Sequence, residues 1–196
     1  MKMDELGKQL VKAAQNNDLE EAKELLLEKN ININFIDMFK NTALIYAADA
    51  GNVEITTALI NSNPNLDIKG EGEKTALIYA VGNGHKEVSK LLINANAKID
   101  LQDNNGFTAL MWAASINSEE ITRMLLKNKA QVSIESINQG TAIDIAKKNN
   151  AVGISNLLEG PYQEEIKKQE KDDKIRASLH QEAIRKRNMS FLRSRI

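Results

Sequence analysis

The sequence predicts an all-α repeat solenoid, a stack of helix-turn-helix units with short β-hairpin loops, followed by a charged C-terminal helical tail. Three observations carry this prediction. The text repeats every 33 residues, with Thr42, Thr75, Thr108 and Thr141 heading TALIYAA, TALIYAV, TALMWAA and TAIDIAK. Each period holds two apolar patterns at helical spacing, separated by turn-forming residues. Past Gly160-Pro161 the repeat stops and the charge reverses. Residues 1–160 carry 16 basic and 21 acidic side chains, whereas residues 161–196 carry 10 and 6.

Within a unit, the threonine is placed as an N-cap, its hydroxyl accepting from a first-turn amide. Leu and Ala two and five residues later (Leu44, Leu77, Leu110 and Ile143; Ala47, Ala80, Ala113 and Ala146) then share one helical face. Gly51 and Gly84 end this first helix where a left-handed residue is needed, and Asn117 takes that place in the next unit. A second helix carries Ile55, Val88, Ile121 and Ile154, with Leu59, Leu92, Leu125 and Leu158 four residues on. Links such as LDIKGEGEK and IDLQDNNGF alternate briefly and turn on Gly and Asn, which predicts a short hairpin.

These residues resemble the ankyrin-repeat pattern, roughly D-x-x-G-x-T-P-L-H-x-A-A-x-x-G-H, a second helix ending L-L, then G-A-x-V-N. Asp103, Gly106, Thr108, Leu110, Ala113 and Ala114 match it in one unit; Gly84, His85, Glu87, Val88, Leu91 and Leu92 match it in the unit before. The resemblance covers about residues 5–160 and implies five units, at about 5–36, 37–69, 70–102, 103–135 and 136–160. Residues 8–34 read as an N-terminal cap one residue out of register, and 141–159 as a truncated C-terminal cap. Two departures stand out. The family's Pro is Ala at 43, 76, 109 and 142, and its His is Ile45, Ile78, Met111 and Asp144. If that His ties the loops together, looser hairpins compensated by apolar packing are expected.

One unit cannot stand alone, because its half-dozen apolar side chains do not offset the ordering of some 33 residues. Stacking buries each face against a neighbour, so the array forms one body with polar ends. Lys12, Gln15, Glu21 and Glu24 supply one end, and Lys147, Lys148, Asn149 and Asn150 the other. Gly160-Pro161 reads as a helix stop. Beyond it, Tyr162 to about Arg187 has helix-favouring composition but poor apolar spacing, which predicts a marginal helix with a frayed end. Its apolar face is too thin for a membrane-surface helix.

Composition excludes several kinds of chemistry. The net charge of −1 argues against bulk attraction to nucleic acid or anionic membrane. Without Cys, there is no disulfide, thiolate metal site or cysteine nucleophile. No run approaches the ~20 apolar residues of a membrane span. MKMDELGKQLVK lacks the apolar core of a signal peptide, so the expectation is a cytoplasmic protein, or an exported one if a signal has been removed. Gly70-Glu71-Gly72-Glu73-Lys74-Thr75 imitates a phosphate-binding loop, but Glu73 replaces the glycine before Lys-Thr and no strand precedes it. His85 occupies a turn and reads as structural, and His180 lies alone in the tail. No Ser/His/Asp set or ligand spacing emerges, so no enzyme, cofactor or metal is expected.

The reading is therefore a non-catalytic module, expected to be monomeric, that binds a partner protein through the concave face and hairpin tips. The resemblance implies that recognition uses the two residues after the Asp position, the one before Thr, and two near the end of the first helix. The partner-binding candidates are Met38, Phe39, Tyr46, Asp49, Tyr79, Asn83, Asn105, Phe107, Trp112 and Ile116, with Phe39, Phe107 and Trp112 as anchors. Tyr46, Tyr79 and Trp112 form an aromatic column at the same 33-residue step, fitting either core framework or a contact stripe. The alternative makes the repeats a rigid scaffold. The tail's Arg185, Lys186, Arg187, Arg193 and Arg195, interrupted by Phe191 and Leu192, then contact nucleic acid or an acidic partner.

Overall fold

The computed structural model describes the backbone of residues 2–193 and the side chains of residues 5–168 and 171–176. The chain forms two compact units, residues 1–158 and 159–196. In the first unit the helices come in pairs: α1 (Lys2–Gln15) and α2 (Leu19–Leu26), α3 (Ala43–Asp49) and α4 (Val53–Asn61), α5 (Ala76–Gly82) and α6 (Lys86–Asn94), α7 (Ala109–Ser115) and α8 (Glu119–Lys127). Helix α9 (Ala142–Lys148) precedes α10 (Val152–Arg193). First helices pack on first helices (α1, α3, α5, α7, α9) and second on second (α2, α4, α6, α8), giving two layers.

The periodic columns are the core. Leu44, Leu77, Leu110 and Ile143, the Ala47 column, the Ile55 column and the Leu59 column are buried at every member. Thr42, Thr75 and Thr108 accept from the amides of Ile45, Ile78 and Met111 at 3.3–3.4 Å, as an N-cap should. Thr141 caps α9 in a reciprocal capping box with Asp144. Its hydroxyl and its amide both donate to the Asp144 carboxylate, at 2.7 and 2.8 Å. Those two bonds hold the Asp144 carboxyl below its ordinary range. The residue between paired helices has positive φ at Asn17, Gly51, Gly84, Asn117 and Asn150. The first interval in this column is one residue longer than the others, as the out-of-register N-terminal cap requires.

Two expectations are corrected. The links expected as β-hairpins are tight turns, and no strand forms among the described residues. Each tip has one main-chain bond across its ends: Asp37 N to Asn41 O, Gly70 N to Lys74 O, Asp103 N to Phe107 O and Ser136 N to Gly140 O, at 2.8–3.0 Å; in the first three a turn bond lies inside it, from the amides of Lys40, Glu73 and Gly106 to the carbonyls of Asp37, Gly70 and Asp103. One bond across the ends of each tip is too few for a strand ladder. Gly160-Pro161 does not stop the helix either, since α10 runs through Pro161. A proline forfeits its own amide bond, and the Glu-, Lys- and Gln-rich sequence after it favours helix strongly enough to continue. The side chains of the basic cluster from Arg185 to Arg195, with Phe191 and Leu192, lie outside the described residues.

A buried polar column runs through the second helices. The hydroxyls of Ser89 and Thr122 donate to the carbonyls of His85 and Ser118, at 2.7 and 2.8 Å. Thr56 is fully buried and its hydroxyl has no partner among the described residues. An unpaired buried hydroxyl costs about 1 kcal/mol or more. Thr56→Val is therefore expected to stabilise the protein by about 1 kcal/mol and raise the melting temperature by about 2–4 °C. A lower melting temperature by circular dichroism would contradict the burial argument.

Candidate functional site

The tips and the first-helix ends form the candidate surface, and side chains fix their geometry. In the tip at 37–41 the Asp37 carboxylate accepts from the amides of Phe39 and Asn41, both at 2.9 Å, and from the Tyr46 hydroxyl at 2.7 Å. Asp103 repeats this, accepting from the amides of Asn105 (2.8 Å) and Phe107 (2.9 Å) and from the Trp112 indole N–H (2.9 Å). Burial pushes the Tyr46 hydroxyl up and the bond to Asp37 adds to the rise, against a lowering contribution from Asn41. The second tip, 70–74, has Gly70 in place of the Asp. There the Tyr79 hydroxyl donates to the Glu71 carbonyl at 3.0 Å, and Asn41 accepts from the Glu71 amide at 2.9 Å.

The aromatic column thus ties the first three tips to their own first helices. This corrects the expectation of loose hairpins, because the polar ties lost with the family's His are supplied one residue later by Tyr46, Tyr79 and Trp112. Ile45, Ile78 and Met111 are buried, as the expected apolar packing requires.

Neighbouring tips are also joined: the amide of Asn104 donates to Gly72 O and that of Ile137 to Asn105 O, both at 3.0 Å. Lys69 Nζ donates to the carbonyl of Gln102 at 2.7 Å, and the Gln102 amide donates to the carbonyls of Gly106 and Glu135, at 2.7 and 2.9 Å. Lower down, Asn34, Asp67 and Asp100 each accept from an amide 31 residues on, at Asn65, Lys98 and Gln131. At the helix ends Asn83 donates to the Asp49 carboxylate at 2.8 Å, and a His85 ring nitrogen bonds the Asp49 carbonyl at 2.9 Å. The structural role expected of His85 is what this bond provides.

The structure sorts the candidates. Met38 and Phe39 are exposed, at 88% and 54%. They border a cleft of about 440 Å³ with Lys40, Gly70–Glu73 and Asn104. Asp49, Asn83, Asn105 and Ile116 are exposed, while Tyr46, Tyr79 and Trp112 are half-buried. Phe107, expected as an exposed anchor, is buried at 7%. Its amide is held by Asp103, so the ring turns inward and meets Trp112 tilted at 56°, with ring centroids 5.4 Å apart. Asn105, Phe107 and Trp112 come together around a second cavity of about 290 Å³, completed by Ser115, Asn138 and Gln139.

Lys74 lies between aromatics, its Nζ 4.4 Å from the Trp112 ring centre and 5.4 Å from that of Tyr79. The sequence places Lys74 before its threonine without revealing this contact. Gln139 was missed altogether. A signal existed: in this tip the positive φ falls on Gly140, one position later than Gly106 in the tip before.

The ankyrin-repeat family, described as three copies of the repeat, matches the chain over residues 10–103 and 95–172. The chain belongs to the ankyrin-repeat family. Ankyrin repeats generally mediate protein–protein interaction, and proteins built from them are typically non-enzymatic. A comparison with curated proteins finds no match. Among the described residues, no group of three or more His, Asp or Glu side chains is arranged to hold a metal ion, and no helix is long and apolar enough to cross a membrane.

Proposed function

We propose that residues 5–160 form five repeats and act as a non-catalytic binding module, taking a partner protein on the tips and first-helix ends. The observation that carries this reading is the exposed pair Met38 and Phe39 beside an open cleft, on a tip that Asp37 and Tyr46 already hold in place. Large apolar side chains exposed side by side lower their free energy when a partner covers them. A tip fixed beforehand spares the ordering cost of binding. Asp49, Asn83 and Ile116 add a polar and apolar rim.

The test uses three full-length baits on lysate of the source cell: the wild type, Met38→Ala with Phe39→Ala, and Arg185→Ala with Lys186→Ala and Arg187→Ala. Each is first checked for wild-type helicity. The expected result is a partner kept by the tail variant and weakened about 30-fold or more by the tip variant, as for a hot-spot pair. A partner lost with the tail variant and kept by the tip variant would overturn this reading, making the repeats a holder for the basic tail.

A further inference from the structure

The aromatic column breaks off where the second cavity begins. Trp112 lies over Gly82, whose position a Cβ would place 3.5 Å from the indole. That is a step of 30 residues from the end of one first helix to the middle of the next. Tyr79 stands one step earlier, 30 residues after Asp49, and the Asp49 carboxylate helps push its hydroxyl up after burial and Glu71. One step later the position over Ser115 belongs to Ile145, which is buried at 2%, and the residue before the threonine is Gly140. Among the described residues, Phe107 and Trp112 are the aromatic side chains that line the cavity at Ser115. The cavity of about 290 Å³ stands there, lined by Ser115 together with Phe107, Trp112, Asn138 and Gln139.

We propose that this cavity takes one aromatic side chain of the partner, a tyrosine by preference, which continues the column as its fourth ring. The inference rests on the binding-module reading above and specifies the chemistry of one subsite within it. The size suits a single ring, being near the lower limit of small-ligand sites. Trp112 and Phe107 offer aromatic surface, against which a ring gains from offset or tilted contact beyond its area. Asn105, Asn138, Gln139 and Ser115 complete the lining, and residues with amide and hydroxyl side chains favour a ring that carries a hydrogen-bonding group.

Charge decides against the rival occupant. An arginine would also stack on an indole, but Lys74 already holds its ammonium over the Trp112 ring, and no carboxylate is among the described lining residues to offset a second cation. A neutral ring with a hydroxyl meets neither penalty.

Trp112 is the sole tryptophan of the chain, so its indole N–H gives one resolved signal in a heteronuclear NMR spectrum. Full-length wild-type protein is titrated with N-acetyl-tyrosinamide, N-acetyl-leucinamide and N-acetyl-argininamide. The expected result is a saturable shift of the indole signal with the tyrosine probe, half-complete at about 1–10 mM as one unlinked side chain allows. The leucine and arginine probes should bind at least about fivefold more weakly. Ser115→Tyr, made at an exposed position, should fill the cavity and remove the shift, and Lys74→Gln should narrow the gap between tyrosine and arginine probes. Equal shifts from leucine and tyrosine probes, a preference for arginine, or no saturable shift would each overturn the proposal. None of those results bears on capture through Met38 and Phe39, so failure of the subsite is distinguishable from failure of the module.

Discussion

Asp103→Ala is expected to lower the stability of the repeat body by about 2–4 kcal/mol, the largest loss foreseen for a single polar side chain here. Asp103 is 6% exposed, and its carboxylate accepts from two main-chain amides and the Trp112 indole. Hydrogen bonds to a charged acceptor contribute about 1.5–3 kcal/mol each before non-additivity, and the buried Phe107 amide is left without a partner. The indole is also released, so the Trp112 emission should shift red before any unfolding. Asp37→Ala makes the internal control: it breaks an equivalent set of bonds at a half-buried site, so water replaces more of what is lost. Urea denaturation should rank Asp103→Ala below Asp37→Ala. A loss under about 0.5 kcal/mol for Asp103→Ala, within the range of an ordinary surface change, would show that the tip does not depend on its carboxylate.

Gly51→Asn and Gly84→Asn are expected to differ sharply although they fall in one column with nearly equal φ, 69° and 74°. Asparagine already serves at Asn17, Asn117 and Asn150 of this column, so the left-handed backbone alone is tolerable. A Cβ on Gly84 would meet only Ile116, at 3.8 Å. A Cβ on Gly51 would come within 2.6–2.8 Å of three atoms of the His85 ring. That ring cannot turn aside without losing its bond to the Asp49 carbonyl. Gly84→Asn should fall within about 0.5 kcal/mol of wild type, and Gly51→Asn should cost about 2 kcal/mol or more. Equal effects would mean that backbone conformation, and not the ring, decides the column.

The helix layers were legible because their cause is local and repeats. Leu110 and Ala113 share a face by spacing alone, and the same spacing recurs 33 residues away in both directions. The candidate surface was legible in part. Met38 and Phe39 are exposed as read, whereas Phe107 is not, because its orientation depends on a bond to Asp103 that no apolar pattern encodes. The role of Tyr46 and Trp112 was open between core and contact for the same reason. Each hydroxyl or indole N–H reaches a carboxylate nine residues earlier, a pairing visible only once the tip has folded back. The continuation of α10 through Pro161 shows a local stop signal overruled by the helix-forming residues after it.

The side-chain bonds that join one helix pair to the next span a narrow range of separations, from 30 residues for Asn41 and Glu71 to 36 for His85 and Asp49. Each therefore closes a loop of about the same length, whatever its place in the chain, and the entropy of closure is met in equal instalments rather than in one long-range step. Such a body behaves as a zipper. Contacts of constant range keep folding fast as units are added, and a defect at one junction is felt by its immediate neighbours before any distant one. Under a pulling force applied at its ends, the body should yield in successive short extensions and close again in the reverse order.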